Sequence, residues 1–484
     1  MRLSLVKSKN AIQYYIIESY RDVNGKNTSR IIEKLGNEQE VIKKANGEDP
    51  VLWAKKYIEE LNKKEKEESK DIIIKKSQKK QIEKNEQNLF NCGYLFLQDI
   101  YNELKIDNIC KKISSKYKFK YDLNNILSRL VYSRIIYPSS KLATYELSTK
   151  FIEQPNFDLQ NIYRALEIIS KENDLIQSEL YKNSLNVYER NSSILYYDCT
   201  NYFFEIEESE TDSLRQYGPS KEHRPNPITQ MGLFMDGSGI PLAFNINPGN
   251  TNEQKTLTPL EKQIEKDFKL SEFIVCTDAG LASNDNRIFN NKENKAFITT
   301  QSIKKIKKHL KEWALDSKNW KLSGSKKIYN IDEFTEEENK KYEDKIFYKE
   351  RWINEDGLEQ KFIVTYYIKY KKYQQKIRQS QIERAKKAIL TKGLQLDKCN
   401  QNDYKRFITK TNITPDGEVA DKKIFSINYN LISQEEQYDG YYGVCTNLDD
   451  SPEEIIKINK KRWEIEESFR IMKSEFKARP VYLS

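Results

Sequence analysis

Residues 193–204 read SILYYDCTNYFF, a run of aromatic and β-branched residues with one carboxylate, Asp198, near its middle. Such a run forms a buried strand. A carboxylate inside it costs free energy unless it is paired or bound to a cation. Asp198 therefore needs either a structural partner or a task.

The segments that follow set the fold class. ITQMGLFMDGSGIPLAFNINPG (228–249) reads as two strands around the turn Asp236-Gly237-Ser238-Gly239. EQKTLTPLEKQIEKDF (253–268) reads as an amphipathic helix, EFIVCTDAG (272–280) as a short buried strand ending at Asp278, and KAFITTQ (295–301) as another strand after a short polar segment. The order β-β-β-α-β-α-β is the skeleton of a ribonuclease H-like α/β core. In that core the first strand is central and the fourth lies beside it, so Asp198 and Asp278 are expected together despite a gap of 80 residues. Acids that cap strands are common, and each aspartate alone is weak evidence.

A third acid stands 188 residues after Asp278, in KRWEIEESFRIMKSEF (461–476). At ~100° per residue, Arg462, Glu466 and Lys473 share a narrow polar stripe. Ile465, Phe469, Met472 and Phe476 form the apolar face beside it, and Glu464, Glu467 and Glu475 point away. Taken alone, the stripe is an i, i+4 ion pair worth a few tenths of a kcal/mol. Packed across the two strands, it brings a third carboxylate to the aspartates. Three carboxylates suit a hard cation such as Mg²⁺, which keeps water and phosphate oxygens in its other positions. Two such ions about 4 Å apart serve in-line displacement at phosphorus. Arg462 and Lys473 would then hold DNA phosphates.

The rest of the chain divides into further parts. Residues 1–88 read as an N-terminal β-hairpin domain with a charged linker: QYYIIESYRD and NTSRIIEKLG flank Val23-Asn24-Gly25-Lys26, and LNKKEKEESKDIIIKKSQKKQIEKNEQ (61–87) is a solvated helix or linker. Residues 89–190 carry apolar residues at helical spacing, broken at Pro138. Arg134, Lys141 and Arg164 lie there among aromatics, which suits either DNA binding or ordinary core packing with a solvated face. Residues 191–301 form the first part of the catalytic core, 302–437 a mixed, partly β inserted subdomain, and 438–484 the last strand and the glutamate helix.

Bulk composition adds bounds. A chain of 484 residues holds several domains, and 12% aromatic residues, 31 of them tyrosine, can build their cores. A net charge of +9 suits a polyanion, as would lysine-rich codon usage. Six scattered cysteines without a CxxC pair, and only two histidines, argue against zinc sites and disulfides and for a reducing cytosol. MRLSLVKSKN lacks the apolar core of a signal peptide, and no run of 18 apolar residues occurs, so a soluble protein with no membrane association is expected.

The spacing Arg462-x3-Glu466-x6-Lys473 is similar to the Y-(2)-R-(3)-E-(6)-K signature of a branch of DDE insertion-sequence transposases. YYDCTNYFF, CTDAGLAS and GYYGVCTN resemble that family's blocks around the first acid, the second acid and the strand before the glutamate, and GPSKEHRPNP and RIIYPSSKLATYE resemble its other recurring stretches. The likeness runs from the N-terminal hairpin to Lys473. It implies a transposase that cuts element ends and joins them to target DNA, working as a homodimer on double-stranded DNA in the cytoplasm, at the nucleoid. Asp198, Asp278 and Glu466 would be its catalytic acids and ligands of two Mg²⁺ ions, with Mn²⁺ able to substitute. Arg462 and Lys473 would contact DNA phosphate, Thr200, on the strand face of Asp198, would be a minor site candidate, and Lys221, His223 and Arg224 would add DNA contacts. His223 is the weaker metal ligand, because hard cations prefer oxygen.

Two departures accompany the likeness. Asn459 stands at the signature's tyrosine position. The chain also ends eleven residues after Lys473, where the family continues into a further helical segment, so a truncated C-terminus is expected. Two other readings follow: a ribonuclease H-like nuclease without strand transfer, and a shortened transposase that only binds DNA.

Overall fold

The computed structural model describes residues 1–7, 12–21, 27–68, 81, 83–86, 89–211, 213–292, 294–390, 402–413 and 419–482. The chain forms two compact units, Met1–Gln87 and Asn88–Ser484.

In the first unit β1 (Arg2–Lys7), β2 (Ile12–Arg21) and β3 (Asn27–Asn37) make an antiparallel sheet, followed by α1 (Glu38–Lys44) and α2 (Pro50–Glu68). Tyr14, Ile16 and Leu35 pack with Val41, Ala54 and Ile58. Asn37 starts α1 with a capping box: its side chain accepts from Glu40 N, and the Glu40 carboxylate accepts from Asn37 N, both at 2.9 Å. The expected hairpin is β2–β3, and β1 adds a third strand to it. The expected turn at Val23–Lys26 lies outside the described residues, as does most of the linker beyond α2.

The second unit opens with α3 (Tyr94–Glu103), α4 (Ile106–Lys116), α5 (Leu123–Ile136), α6 (Lys141–Ser148), α7 (Leu159–Lys171) and α8 (Asn173–Ser184). Tyr94, Ile109, Ile113, Ile126, Tyr132 and Phe151 form their shared core. Pro138 keeps the residue before it out of the helical region, so α5 stops at Ile136. Ser140 then caps α6 by accepting from Ala143 N at 3.2 Å.

The sheet begins with β4 (Ile194–Phe203), β5 (Ile228–Asp236) and β6 (Pro241–Pro248), passes through α9 (Leu257–Gln263), and continues with β7 (Phe273–Thr277), α10 (Asn284–Phe289) and β8 (Lys295–Gln301). The spatial order is β6-β5-β4-β7-β8. The first three strands are antiparallel, and β7 and β8 run parallel to β4. That order and direction is the ribonuclease H-like core expected from sequence. Side-chain alternation gives β4 two unlike faces. Leu195, Tyr197 and Cys199 pack under α9 with Leu257, Leu260 and Ile264. Tyr196 and Tyr202 point the other way, into a core shared with Cys276, Ile465 and Phe469.

After α11 (Lys308–Leu315), β9 (Lys321–Leu322) and α12 (Glu336–Lys341) come β10 (Ile346–Glu355), β11 (Leu358–Tyr367), α13 (Ile368–Ile389), β12 (Ile408–Ile413), β13 (Val419–Ile427), α14 (Tyr429–Glu436) and β14 (Tyr441–Thr446). The 302–437 block is thus continuous with the core. β14 pairs with β8 on one side and β11 on the other, extending the sheet to nine strands through β10 and β9. α13, α14 and the β12–β13 pair keep a small core of their own around Ile382, Phe407 and Ile432. The buried Arg378–Asp439 pair, with Nη1 to Oδ1 at 2.8 Å, ties α13 to the residues before β14. The chain then forms α15 (Pro452–Lys460), α16 (Trp463–Arg470) and a π-helical turn, Ile471–Glu475.

Candidate active site

β4 and β7 pair in parallel with Tyr196 opposite Cys276. Asp198 stands two residues further along β4 and Asp278 follows the last residue of β7, close enough for its charge to act on the Asp198 carboxyl. Alternation turns Asp198 to the face of Tyr196 and Tyr202, the face covered by α16 through Ile465 and Phe469. The first two acids are therefore neighbours for a reason written in strand order and residue parity.

Each aspartate keeps one oxygen tied locally. Asp198 Oδ1 accepts from Cys199 N at 2.7 Å. Asp278 Oδ1 accepts from Gly280 N and Leu281 N, both at 3.0 Å, forming the turn that ends the strand. Burial pushes the Asp198 carboxyl up to about 6; the Asp278 charge adds to that, while Lys221, the Cys199 amide and Arg462 oppose it. This corner of the fold thus has an unmet demand for positive charge.

Arg462 supplies part of it. Burial works against its charge, but Tyr442, Asp198, Asp278 and Glu466 together raise its pKa above the ordinary value. Its Nη1 lies 3.4 Å from Glu466 Oε1, and the Glu466 side chain is 60% exposed. Glu466 thus stands at the surface beside Arg462, whose guanidinium also feels the charges of both aspartates. Among the described residues no three His, Cys, Asp or Glu side chains are grouped to hold an ion. The donor set fits a hard divalent cation all the same: it is all carboxylate, and Cys199 faces the opposite side of the sheet.

The cationic residues are distributed unevenly. Lys473 is half-buried, with Nζ 5.9 Å from the centre of the Tyr202 ring. Burial and the Lys221 charge lower its pKa, and Asp198 opposes them. Lys221 donates to the Cys199 carbonyl and sits 3.4 Å from Glu253. Arg224 stacks over Phe203 at 4.3 Å and lies 3.8 Å from Glu222, so its charge is already engaged. Thr200 is buried on the Asp198 face. His223 has a left-handed backbone (φ 57°).

The helical-wheel stripe of Arg462, Glu466 and Lys473 holds only in part. The π turn at Ile471–Glu475 changes the helical phase between Glu466 and Lys473. Glu466 faces outward while Lys473 turns toward Asp198. Tyr442 was not singled out from sequence. Its hydroxyl lies 2.6 Å from Thr300 Oγ1 and accepts from Asn459 Nδ2 at 3.2 Å, so Asn459 holds a phenol donated by β14. Strand parity with Val444, which enters the core on the α16 side, was the available signal.

A family model described as "Transposase DDE domain" matches residues 203–483, more than half of the chain. The chain belongs to the DDE transposase family. A second model, "IS1634 family transposase, N-terminal domain", matches residues 3–72, the span of the first unit's sheet and helices. In this transposase the DDE match includes Asp278 and Glu466 and starts just after Asp198. No curated protein matches the sequence. Among solved structures, the piggyBac transposase synaptic complex with hairpin DNA is similar at TM-score 0.33 and 8% identity over 75% of this chain and 63% of that one. The Mos1 transposase paired-end complex with left transposon end is similar at TM-score 0.15 and 12% identity over 36% and 59%. The transposase therefore spans less than two thirds of either relative, and its fold is read from strand order and direction. No helix among its described residues is long and apolar enough to cross a membrane.

Proposed function

We propose that this transposase cuts the ends of its own mobile element and joins the freed 3′-OH groups to target DNA. The observation that carries the reading is the proximity of Asp198, within β4, to Asp278, just past the end of the adjacent parallel strand β7, with Arg462 of the late helical segment near both aspartates and Glu466. Asp198, Asp278 and Glu466 would hold two Mg²⁺ ions, or Mn²⁺ in their place. Divalent ions there supply an activated water or 3′-OH and stabilise the leaving oxygen at phosphorus. The chain's own residues do the rest. Arg462 and Lys473 grip phosphate oxygens of double-stranded DNA beside the acids. Lys221 and Arg224 join them once released from Glu253 and Glu222. Tyr196, Phe469 and Ile465 keep the floor of the site dry, which strengthens every charge interaction above it.

The chain falls in the branch with the Y-(2)-R-(3)-E-(6)-K signature, its R-E-K part standing at Arg462, Glu466 and Lys473. It acts as a homodimer on DNA, in the cytoplasm at the nucleoid. The test contrasts two adjacent glutamates. Glu466→Gln should abolish Mg²⁺-dependent cutting of a duplex taken from the element's end while DNA binding survives. Glu467→Gln should change little, because Glu467 is engaged at the surface, 2.6 Å from Arg470. Equal cutting by both variants would reduce Glu466 to an ion-pair partner of Arg462. Cutting without joined products would leave a nuclease.

A further inference from the structure

Phe476 follows the π turn that comes after α16, and its carbonyl accepts a hydrogen bond from Arg134 Nη1 at 3.1 Å. Arg134 stands in the last turn of α5, and Lys141 opens α6 just across the Tyr137–Ser140 corner. Both cations are half-buried. Burial lowers the pKa of each, and the charge of Arg134 lowers that of Lys141 further. Among the described residues no carboxylate pairs with either. Lys473, three residues before Phe476, also lacks an acidic hydrogen-bond or ion-pair partner, and Lys221 crowds it in the same way.

A cation at a helix C-terminus explains Arg134. It does not explain Lys141. A lysine stem packed on apolar surface ordinarily carries its ammonium out to water or to an acid, and holding it half-buried beside a guanidinium costs free energy unless an anion arrives. We propose that Arg134 and Lys141 form a seat for a DNA backbone phosphate, continuing onto the helical region the cationic line of Lys221 and Lys473 that leads away from Asp198. The inference rests on the DNA-cutting reading above. The Arg134 bond to the Phe476 carbonyl, three residues after Lys473, places the seat beside the segment that carries Lys473.

The full chain and a mixed-sequence B-form duplex suffice to test this, because a phosphate contact is independent of sequence. Lys141→Met keeps the stem and removes the charge. It should melt at or above the wild-type temperature, bind the duplex more weakly, and show a log–log salt slope smaller by about 0.9. Lys141→Arg should restore the slope. Lys111→Met, on α4 where Lys111 pairs with Asp107 at 2.9 Å, should leave affinity and slope unchanged. Wild-type slope and affinity in Lys141→Met overturn the seat, as does an equal loss in Lys111→Met, which would mean diffuse surface charge. If Lys473→Ala lowers the slope and Lys141→Met does not, only this inference fails. If the wild-type chain binds no duplex, the DNA-cutting reading fails with it.

Discussion

Asp198, half-buried, and Glu261, fully buried, are carboxylates whose charge is met in different ways. Asp198, on β4, has its burial offset by Lys221 and Arg462. Glu261, on α9, is wholly buried; its Oε1 accepts from Asn290 Nδ2 at 2.9 Å and its Oε2 lies 3.6 Å from Lys295 Nζ, which is also paired with Glu265. Burial raises Glu261 from 4.5 to about 7, against Asn290 and Lys295. Between those two pH values the folded chain binds more protons than the unfolded one, so this residue's contribution to stability is fullest below about pH 4.5 and declines as pH rises toward 7. Glu261→Gln keeps the bond from Asn290 and should remove that decline. It should raise stability at pH 8 by about 2 kcal/mol while changing little at pH 4; melting curves at both pH values check it, and parallel pH dependence in the two proteins would contradict it. At this scale the sequence was informative where parity and register decide. Asp198 in an apolar strand and Asp278 at a strand end were both legible. The outward turn of Glu466 was not, because it depends on where the Arg462 guanidinium settles among acids from three distant segments. Nor was Glu261, whose neighbours come from α10 and β8.

β4 is held in place by its neighbours as much as by its own ladder. Cys199 is paired with Gly232 of β5, and a Cβ on Gly232 would lie 2.1 Å from Tyr197 Oη and 2.6 Å from Asn245 Oδ1. Tyr197 Oη in turn lies 2.7 Å from Thr256 Oγ1, beneath the strand that carries Asp198. Gly232→Val should force Tyr197 out of that bond and cost about 2 kcal/mol or more, lowering the melting temperature by several degrees; a melt equal to wild type would show that the layer under β4 is loosely packed. The strands and helices of the core were readable because their apolar periods, two and 3.6, are intact in the sequence. β1 escaped notice because it is six residues long and gains its meaning from pairing with β2. The π turn after α16 escaped because a wheel drawn at 100° per residue assumes an unbroken α-helix, and IMKSE carries no local mark of the wider turn.

On the scale of the whole molecule, two units each own a core: Tyr14, Ile16, Leu35 and Ala54 in the first, and the layers on both faces of the nine-stranded sheet in the second. A fragment of residues 89–482 should therefore fold alone and melt in a transition matching the second unit's in the full chain; a fragment with no cooperative melt would show that the cores depend on each other. The block between β8 and β14 read as an insertion because its charged, tyrosine-rich composition differs from the core's. Only long-range pairing reveals that it extends the same sheet. That pairing also fixes an order in time. β8 receives its partner β14 only after everything from Ser302 to Gly440 has been made. At ~5–20 residues per second, the ribosome leaves one side of the β8 ladder bare for on the order of ten seconds. An unpaired strand edge is a template for the wrong neighbour, so the yield of native protein per message depends on what occupies that edge during synthesis.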